Sequence, residues 1–254
     1  MSLACDVLDG LDHLHAVHGY LHRDVKTSNV LLRDGGTAAV LTDLGSAARL
    51  GEDGSCGAAG GTLLYRAPEY ASGRLTVRSD LYGAGVLLLE LLGAALPTGP
   101  DSAERMERSL AAGRRAFPDR LVVFGPHVPD RVRTLVRGLI AVDPMRRPER
   151  ASDAAGLLRD VRTLDGVRVD GSGLDGEWSG AGLPDRRGSA REYRVTSRVL
   201  AGGPDCGGRK ASVSYRPASG GQWRRLARDV VLGADDEPGL RAVFAVGHSH
   251  AFQR

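Results

Sequence analysis

The stretch Tyr20-Leu-His-Arg-Asp-Val-Lys-Thr-Ser-Asn-Val-Leu-Leu32 places an acid, a cation and an amide on one short segment. Asp24 could accept a hydroxyl proton, Lys26 carries a positive charge, and Asn29 offers an amide oxygen to a metal ion. Chemistry that depends on positioning and electrostatics needs such groups on one rigid loop. The apolar residues 30–32 that follow predict a short buried strand. The stretch therefore predicts a catalytic loop that leads into a strand.

The composition sets these positions apart. The chain has 34 Lys+Arg, yet Lys26 and Lys210 are its only lysines, and Asn29 is its only asparagine. A sequence this rich in Arg, Ala and Gly is typical of a GC-rich genome. Placing a lysine and the single asparagine within one loop argues against a chance arrangement.

His22-Arg23-Asp24 followed by Asn29 resembles the catalytic loop of eukaryotic-type protein kinases, H-R-D-x-x-x-x-N. The resemblance implies that Asp24 accepts the proton of a substrate hydroxyl. It also implies that Lys26 stabilises charge on the transferred phosphoryl group and that Asn29 holds Mg²⁺. Leu31 would lie under the adenine of ATP.

Two further motifs follow in the order of that family. Asp43-Leu44-Gly45 resembles D-F-G, whose aspartate binds Mg²⁺, with an apolar leucine in place of phenylalanine. The segment Gly61-Thr-Leu-Leu-Tyr-Arg-Ala-Pro-Glu69 resembles the one that ends in A-P-E. By resemblance Thr62 contacts the catalytic aspartate, and Thr62 with Lys26 favours serine or threonine over tyrosine as the acceptor.

The same resemblance extends over residues 2–164. It implies two contacts of charged side chains that stabilise the structure. Asp80 would hold the backbone of the catalytic loop. Arg147, within a stretch that resembles D-P-x-x-R-P, would form a buried bidentate pair with Glu69. Gly83 and Gly85 each weaken a helix by about 1 kcal/mol relative to alanine, and close packing against the catalytic loop would explain both.

The fold class expected from these patterns is mainly α. It is a protein-kinase-like C-terminal lobe with a small β hairpin at the catalytic loop, plus a small β-rich or partly disordered C-terminal region. The predicted domains are 1–164 for the lobe, 165–190 for a linker and 191–254 for an appendage of unknown role. Apolar periodicity predicts amphipathic helices over 2–19 and 130–142. A buried helix is predicted over 79–92, a polar, charged helix with little apolar face over 101–115, a last helix over 150–164, and a hairpin of 30–32 with 38–42.

The C-terminal region shows alternation typical of strands. Strands are predicted over 192–200, 211–216, 222–232 and 240–246, although residues 223–231 could also be helical. His248 and His250 could ligate a metal, but a third ligand is not nearby, so a solvated tail is favoured.

A complete kinase also needs a Gly-rich loop and a lysine after Val-Ala-Ile over the phosphates. The 254 residues contain neither motif. The upper wall of the ATP pocket is therefore expected to be missing from this chain. Three explanations stay open: a gene model that starts late, a true fragment that binds a partner protein supplying or contacting the missing lobe, or a C-terminal region that replaces it. The last is disfavoured because that region lacks the motifs.

The predicted function is a protein serine/threonine kinase that transfers the γ-phosphoryl group of ATP to protein hydroxyls with Mg²⁺. The alternative is a non-catalytic, kinase-derived partner-binding module. A net charge of +3 argues against a nucleic-acid surface. The longest apolar run, 81–97, is interrupted by Glu90 and is short for a transmembrane segment. Three widely separated cysteines predict a reducing, cytoplasmic location.

Overall fold

The computed structural model describes residues 2–97, 100–161, 165–172, 174–182 and 189–252. The chain forms two compact units. The first consists of Met1–Phe124 and Asp130–Val161, and the second of Gly125–Pro129 and Arg162–Arg254.

Helices dominate the first unit, which also holds three pairs of short strands. Its strands pair as β1 with β4, β2 with β3, and β5 with β6. The elements are α1 (Ser2–Ala16), β1 (Tyr20–Leu21), β2 (Val30–Arg33), β3 (Ala38–Leu41), β4 (Ala48–Arg49), β5 (Cys56–Gly57), β6 (Arg74–Leu75), α2 (Val77–Leu91), α3 (Pro100–Ala111), α4 (Asp130–Leu139) and α5 (Ala151–Arg159).

The hairpin of β2 and β3 follows the catalytic stretch, as predicted. Val30 pairs with Leu41 in antiparallel register, and the Ala39 N–H donates to the Asp6 carboxylate of α1 at 2.9 Å. The prediction that β2 is buried is wrong, since Leu31 and Leu32 are 58% and 60% exposed. The hairpin packs on α1 through β3, so these two leucines stay accessible.

Helix α2 forms the centre of the first unit. Thr76 and Ser79 form a capping box at its start, which satisfies backbone N–H groups that the first turn leaves free. An added Cβ at Gly83 would lie 3.1 Å from the Val25 carbonyl oxygen of the catalytic loop. At Gly85 it would lie 2.7 Å from Cβ of Leu139 in α4. Close packing on the catalytic loop therefore explains Gly83 but not Gly85.

The second unit is an antiparallel sheet with one long helix. The strand order is β11-β10-β9-β8-β7, and β12 also pairs with β10. The elements are β7 (Asp165–Ser172), β8 (Asp175–Ala181), β9 (Arg191–Val199), β10 (Arg209–Pro217), β11 (Arg224–Arg225), β12 (Val230–Leu232) and α6 (Glu237–Phe252).

The core of the second unit lies between the sheet and α6. Trp178 and Val213 belong to one buried cluster with Leu240, Val243 and Phe244. These three helix residues recur at three- and four-residue spacing, so a helix places all of them on one face. The strand predicted over 240–246 is therefore wrong.

The predicted fold class is also wrong, because the chain is a mixture of helices and sheets and is not mainly α. The error arises in the C-terminal third of the chain. There the sheet includes more residues than the alternation of apolar and polar residues had predicted. Strands β7 and β8 occupy most of residues 165–190, for which the sequence predicted a linker. The positions of the domain boundaries stay a prediction. Among the described residues, no helix is long and apolar enough to cross a membrane.

Candidate active site

Asp24 lies at the centre of a hydrogen-bonded cluster. The residue is 8% exposed. Thr62 Oγ1 donates to Asp24 Oδ1 at 2.9 Å, and Lys26 Nζ donates to Asp24 Oδ2 at 2.6 Å and to Thr62 Oγ1 at 3.0 Å. Asn29 Nδ2 donates to the backbone oxygen of Asp24 at 2.9 Å and to its Oδ2 at 3.2 Å. The structure thus brings together four residues that the sequence named.

These contacts determine the charge of the Asp24 carboxyl group. Burial acts to raise its pKa, but the hydrogen bonds from Lys26 and Thr62 oppose burial and outweigh it, so the pKa lies below its usual value. Asp24 is therefore a carboxylate at neutral pH, oriented through both oxygens.

Asp80 fixes the backbone of the catalytic loop, as the resemblance implied. One carboxylate oxygen accepts the His22 N–H at 2.7 Å, and the other accepts the Arg23 N–H at 2.8 Å. Asp80 is 3% exposed, and charge-assisted bonds of this kind are stronger than neutral ones. His15 Nε2 lies 2.8 Å from Asp80 Oδ2, a contact that sequence reasoning missed.

Arg23 connects the loop to the segment that follows the Asp43 turn. Its Nε donates to the Ser46 carbonyl at 2.5 Å, and its Nη1 donates to the Gly57 carbonyl at 2.9 Å. Arg23 has φ = +66°, a left-handed conformation that non-glycine residues rarely adopt. At Gly61, also left-handed, an added Cβ would lie 2.7 Å from the Arg23 carbonyl oxygen. The glycine before Thr62 therefore permits this close approach.

The hairpin brings Asn29 and Asp43 to the same end. Asn29 precedes β2, and Thr42, which follows β3, donates its N–H to the Asn29 carbonyl at 2.8 Å. Asp43 is the next residue, exposed and left-handed at φ = +63°, and its carboxylate accepts the Gly45 N–H at 3.2 Å. An amide and an exposed carboxylate at the same end of one hairpin fit Mg²⁺, which binds few protein ligands and completes its shell with water and phosphate oxygens.

The Glu69–Arg147 pair has the bidentate geometry that the resemblance implied. Arg147 Nη1 and Nη2 lie 2.7 and 2.8 Å from the two carboxylate oxygens of Glu69. Arg147 is 3% exposed, and its Nε donates to the Ala141 carbonyl at 2.9 Å. Ser79 Oγ donates to Glu69 Oε1 at 2.8 Å. The pair thus connects the segment after Thr62 to α2 and to the segment that follows α4.

Tyr65 is a second residue that sequence reasoning missed. Its hydroxyl donates to the Glu90 carboxylate of α2 and lies 3.0 Å from Thr27 Oγ1 of the catalytic loop. Burial and the hydrogen bond to Glu90 raise the pKa of Tyr65 to about 12, so the hydroxyl stays protonated. The one clue in the sequence was that Tyr65 lies four residues before Glu69. Its hydrogen-bond partner Glu90 lies 25 residues further along the chain, so the sequence did not reveal the pair.

Other candidate metal ligands do not converge. Among the described residues, no group of three or more His, Cys, Asp or Glu side chains could hold a metal ion. Near the C-terminus, the Tyr193 hydroxyl lies 3.1 Å from His250 Nδ1, so His250 packs within the second unit. Leu31, the proposed adenine contact, lies on the exposed side of the hairpin.

Residues 1–156 match the family model described as "Protein kinase domain". The chain belongs to this family. The match covers the N-terminal part of the chain, so the family description applies to that part and not to a C-terminal lobe alone.

Relatives of this kinase-family chain point to the serine/threonine class. It is 32% identical over 166 residues to a probable serine/threonine-protein kinase PknB of Lactococcus lactis, covering 64% of this chain and 25% of that protein. It is 32% identical over 149 residues to serine/threonine-protein kinase STK11 of Gallus gallus, covering 56% and 32%. It is 30% identical over 188 residues to a probable serine/threonine-protein kinase of Streptomyces coelicolor, covering 72% and 27%. The chain thus spans about a quarter to a third of the length of these relatives.

Proposed function

We propose that the chain carries the catalytic residues of a protein serine/threonine kinase, which transfers the γ-phosphoryl group of ATP to hydroxyls of a protein substrate. The observation that supports this proposal most directly is the cluster of Lys26, Asn29 and Thr62 around the Asp24 carboxylate. Asn29 alone could cap a turn, and Thr62 alone could be structural. Their convergence on one carboxylate next to Asp43 suits phosphoryl transfer.

In this mechanism Asp24 orients the acceptor hydroxyl and receives its proton. The hydroxyl oxygen forms a bond to the γ-phosphorus, and the bond from that phosphorus to the β–γ bridging oxygen breaks, leaving ADP. Because the pKa of Asp24 is low, the carboxylate is a weak base. Its main contribution is therefore to position the nucleophile, and it takes the proton late. Thr62 holds the second oxygen of the carboxylate in place.

Lys26 balances the charge that accumulates during the transfer. Its ammonium group contacts both Asp24 and Thr62, so it lies where the acceptor and the phosphoryl group would meet. A fixed cation stabilises developing negative charge without the reorganisation that water would need.

Asn29 and Asp43 would hold Mg²⁺, which neutralises the phosphate oxygens when it is bound. Asp43 supplies the negative charge and Asn29 a neutral oxygen. The exposed position of Asp43 leaves room for a cation and a nucleotide. Leu31 would contact the adenine, and a partner protein would supply or contact the opposite wall of that pocket.

The test is Mg²⁺-dependent binding of ATP, measured by calorimetry on the 254-residue chain. Asp43→Asn and Asp34→Asn form a matched pair, because both aspartates are exposed and left-handed at φ = +63° and +51°. Asparagine tolerates this conformation. We expect Asp43→Asn to abolish the Mg²⁺-dependent part of binding and Asp34→Asn to leave it unchanged.

Phosphotransfer to a protein substrate is then measured with Asp24→Asn. Loss of a positioned base typically lowers the rate about 10²- to 10⁴-fold. Binding of ATP that is equally strong in the Asp43 and Asp34 variants would contradict the metal assignment. Failure to bind millimolar ATP at all would contradict catalysis by this chain alone.

A second candidate function is a non-catalytic, partner-binding module of the same family. It is favoured by the apolar surface around the hairpin, where Leu31, Leu32 and Leu44 are 58%, 60% and 57% exposed. In soluble proteins, exposed apolar side chains mark an interaction site where they form a continuous patch. A chain that captures a partner through these leucines but fails the ATP test would support this second function.

The cytoplasm is the location that we propose. The three cysteines are free thiols, with Cys5 buried and Cys206 exposed, and free thiols persist in reducing compartments.

A further inference from the structure

A wide cleft lies between α3 and the segment that follows it, in the first unit. It has a volume of about 620 Å³, within the roughly 300–1,000 Å³ range of binding pockets in general. Basic side chains line it: Arg105 comes from α3, and Arg114, Arg115 and Arg120 come from the following segment. Asp119 is the only acidic residue among the described residues that line it.

A second cleft of about 690 Å³ adjoins the first, because Arg115, Asp119 and Val142 line both. Arg137 and Arg146 also line the second cleft. Together the two clefts form one basic groove with six arginines, against Asp119 and Asp143 among the described residues. Asp143 is already engaged, since its carboxylate accepts the Met145 N–H at 2.9 Å.

Three of the six arginines of this basic groove are exposed and without an acidic partner among the described residues. Arg105, Arg114 and Arg120 are exposed. In the part of the chain that the structure describes, none of these three forms an ion pair. By contrast, Arg108 on the same helix pairs with Glu104, and it does not line either cleft. Six arginines against two aspartates thus leave the groove with a net positive charge.

The position shared by the two clefts holds an unsatisfied donor. Arg115 Nη1 contacts Asp119 at 2.5 Å, but the buried Arg115 Nε has no hydrogen-bond partner within the described residues. The Tyr82 hydroxyl, which interacts electrostatically with Arg115, is likewise buried without a hydrogen-bond partner among the described residues. Buried polar groups are nearly always paired. The Arg115 side chain as a whole is 18% exposed and lines both clefts, so an anion in the groove can pair with its guanidinium group.

We propose that the basic groove binds an acidic segment of a polypeptide, rich in carboxylate or phosphate groups. Six guanidinium groups spread over two adjoining clefts suit a chain of several anionic groups better than a single small ion. Arginine pairs with both carboxylate and phosphate through parallel hydrogen bonds. A single-stranded nucleic acid is disfavoured because base stacking needs accessible aromatic rings, and Phe117, which lines the first cleft, is 2% exposed.

This inference does not depend on catalysis. The groove contains none of the residues Asp24, Lys26, Asn29, Asp43 or Thr62, and its test is a binding measurement without nucleotide. Failure of the ATP test and failure of this test therefore give separate results.

The experiment measures fluorescence anisotropy of labelled eight-residue peptides added to the whole 254-residue chain at low salt. The peptides are all-glutamate, all-glutamine and a glutamine peptide with phosphoserines at alternate positions. We expect both anionic peptides to bind and the glutamine peptide not to bind. The stronger of the two anionic peptides then identifies carboxylate or phosphate as the preferred group. Raising the salt from 50 to 300 mM should weaken both, because the contacts are ionic.

Three variants decide whether the groove is the site. Arg105→Gln combined with Arg114→Gln should weaken binding at least about tenfold, while Arg108→Gln, on the same helix but outside the groove, should change it less than about twofold. Asp119→Asn should tighten binding several-fold, because it removes a repelling charge that is 86% exposed and keeps an acceptor for Arg115.

A gain of affinity in Asp119→Asn cannot be produced by unfolding, so it supports the site directly. Equal binding of the glutamate and glutamine peptides would overturn the proposal. So would an effect of Arg108→Gln as large as that of the double variant, since binding would then be a general response to positive charge.

Discussion

Two aspartates of the candidate site, Asp24 and Asp43, lie in opposite kinds of environment. Asp24 is 8% exposed, and its side chain accepts hydrogen bonds from Lys26, Asn29 and Thr62. Asp43 is exposed, and its side chain accepts the Gly45 N–H at 3.2 Å. The loop around Asp24 is therefore organised by the protein, whereas the Asp43 carboxylate is left available to solvent and ions.

The difference separates preorganisation from ligand binding. Groups that act on the acceptor hydroxyl must be held in place before it arrives, because positioning supplies much of the rate enhancement. A metal ligand can stay hydrated until the nucleotide brings the cation. Substitutions that disturb the Asp24 side should therefore reduce stability, and those at Asp43 should reduce nucleotide binding without reducing stability.

The largest effect is expected where the ion pair that holds the segment after Thr62 is removed. Arg147→Ala leaves Glu69 without its bidentate partner in a buried site, which should lower the free energy of unfolding by about 3–5 kcal/mol. Urea unfolding measures this change. Arg146→Ala, at an exposed neighbour, should change it by no more than about 0.5 kcal/mol, and equal losses in both variants would show that the pair is not a framework contact.

Asp80→Asn should have an intermediate effect. An amide in place of this carboxylate offers one acceptor to the two N–H groups of His22 and Arg23, so one buried donor loses its partner. We expect a loss of about 1–3 kcal/mol in unfolding free energy, measured by urea unfolding, together with weaker phosphotransfer. A stable protein with unchanged activity would contradict the role of Asp80 as the anchor of the loop.

The pH dependence of stability should show a smaller contribution from Asp24. Its pKa is lower in the folded chain than in the unfolded chain, so the carboxylate contributes stability that is complete above its unfolded pKa of 3.8. That contribution is lost as the pH falls below 3.8 through the folded pKa. Unfolding midpoints measured between pH 3 and pH 7 should therefore fall less steeply for Asp24→Asn. Parallel curves for the two proteins would rule this contribution out.

The smallest effect on stability is expected at Asp43. Asp43→Asn should change the unfolding free energy by no more than about 0.5 kcal/mol, because the side chain is exposed and asparagine tolerates its backbone conformation. The same variant is expected to lose Mg²⁺-dependent ATP binding. A thermal melt and a titration on one preparation check both parts. If the variant were strongly destabilised, Asp43 would contribute to stability as Asp24 does, which would contradict the difference between the two residues.

The sequence predicted the catalytic loop and its hairpin because the residues that determine them lie close together in the sequence. Asp24, Lys26 and Asn29 lie within six residues, and their spacing reflects one loop conformation. Long-range pairs were predicted only where a motif marked both partners, as for Glu69 with Arg147. No motif contained both partners of the His15–Asp80 contact or of the Tyr65–Glu90 contact, so the sequence could not reveal these two pairs.

The second unit was predicted less well because composition was misleading there. Gly and Asp around residues 165–181 favour turns, yet strand pairing with β9 overrides that preference at β8. In α6 the alternation over residues 240–246 suggested a strand, although Leu240, Val243 and Phe244 already had helical spacing. Tertiary context decided both cases. Of the fold, the elements of residues 1–161 were therefore more predictable than the class of the whole chain.

The left-handed backbone at Asp43 has a consequence for protein engineering. Most residues with a Cβ adopt this conformation at a cost of about 1–2 kcal/mol, asparagine and aspartate at a lower one, and glycine avoids it. A library selected only for heat resistance should therefore accept glycine at position 43. A library selected for phosphotransfer should keep aspartate, so the two selections would diverge at a single codon.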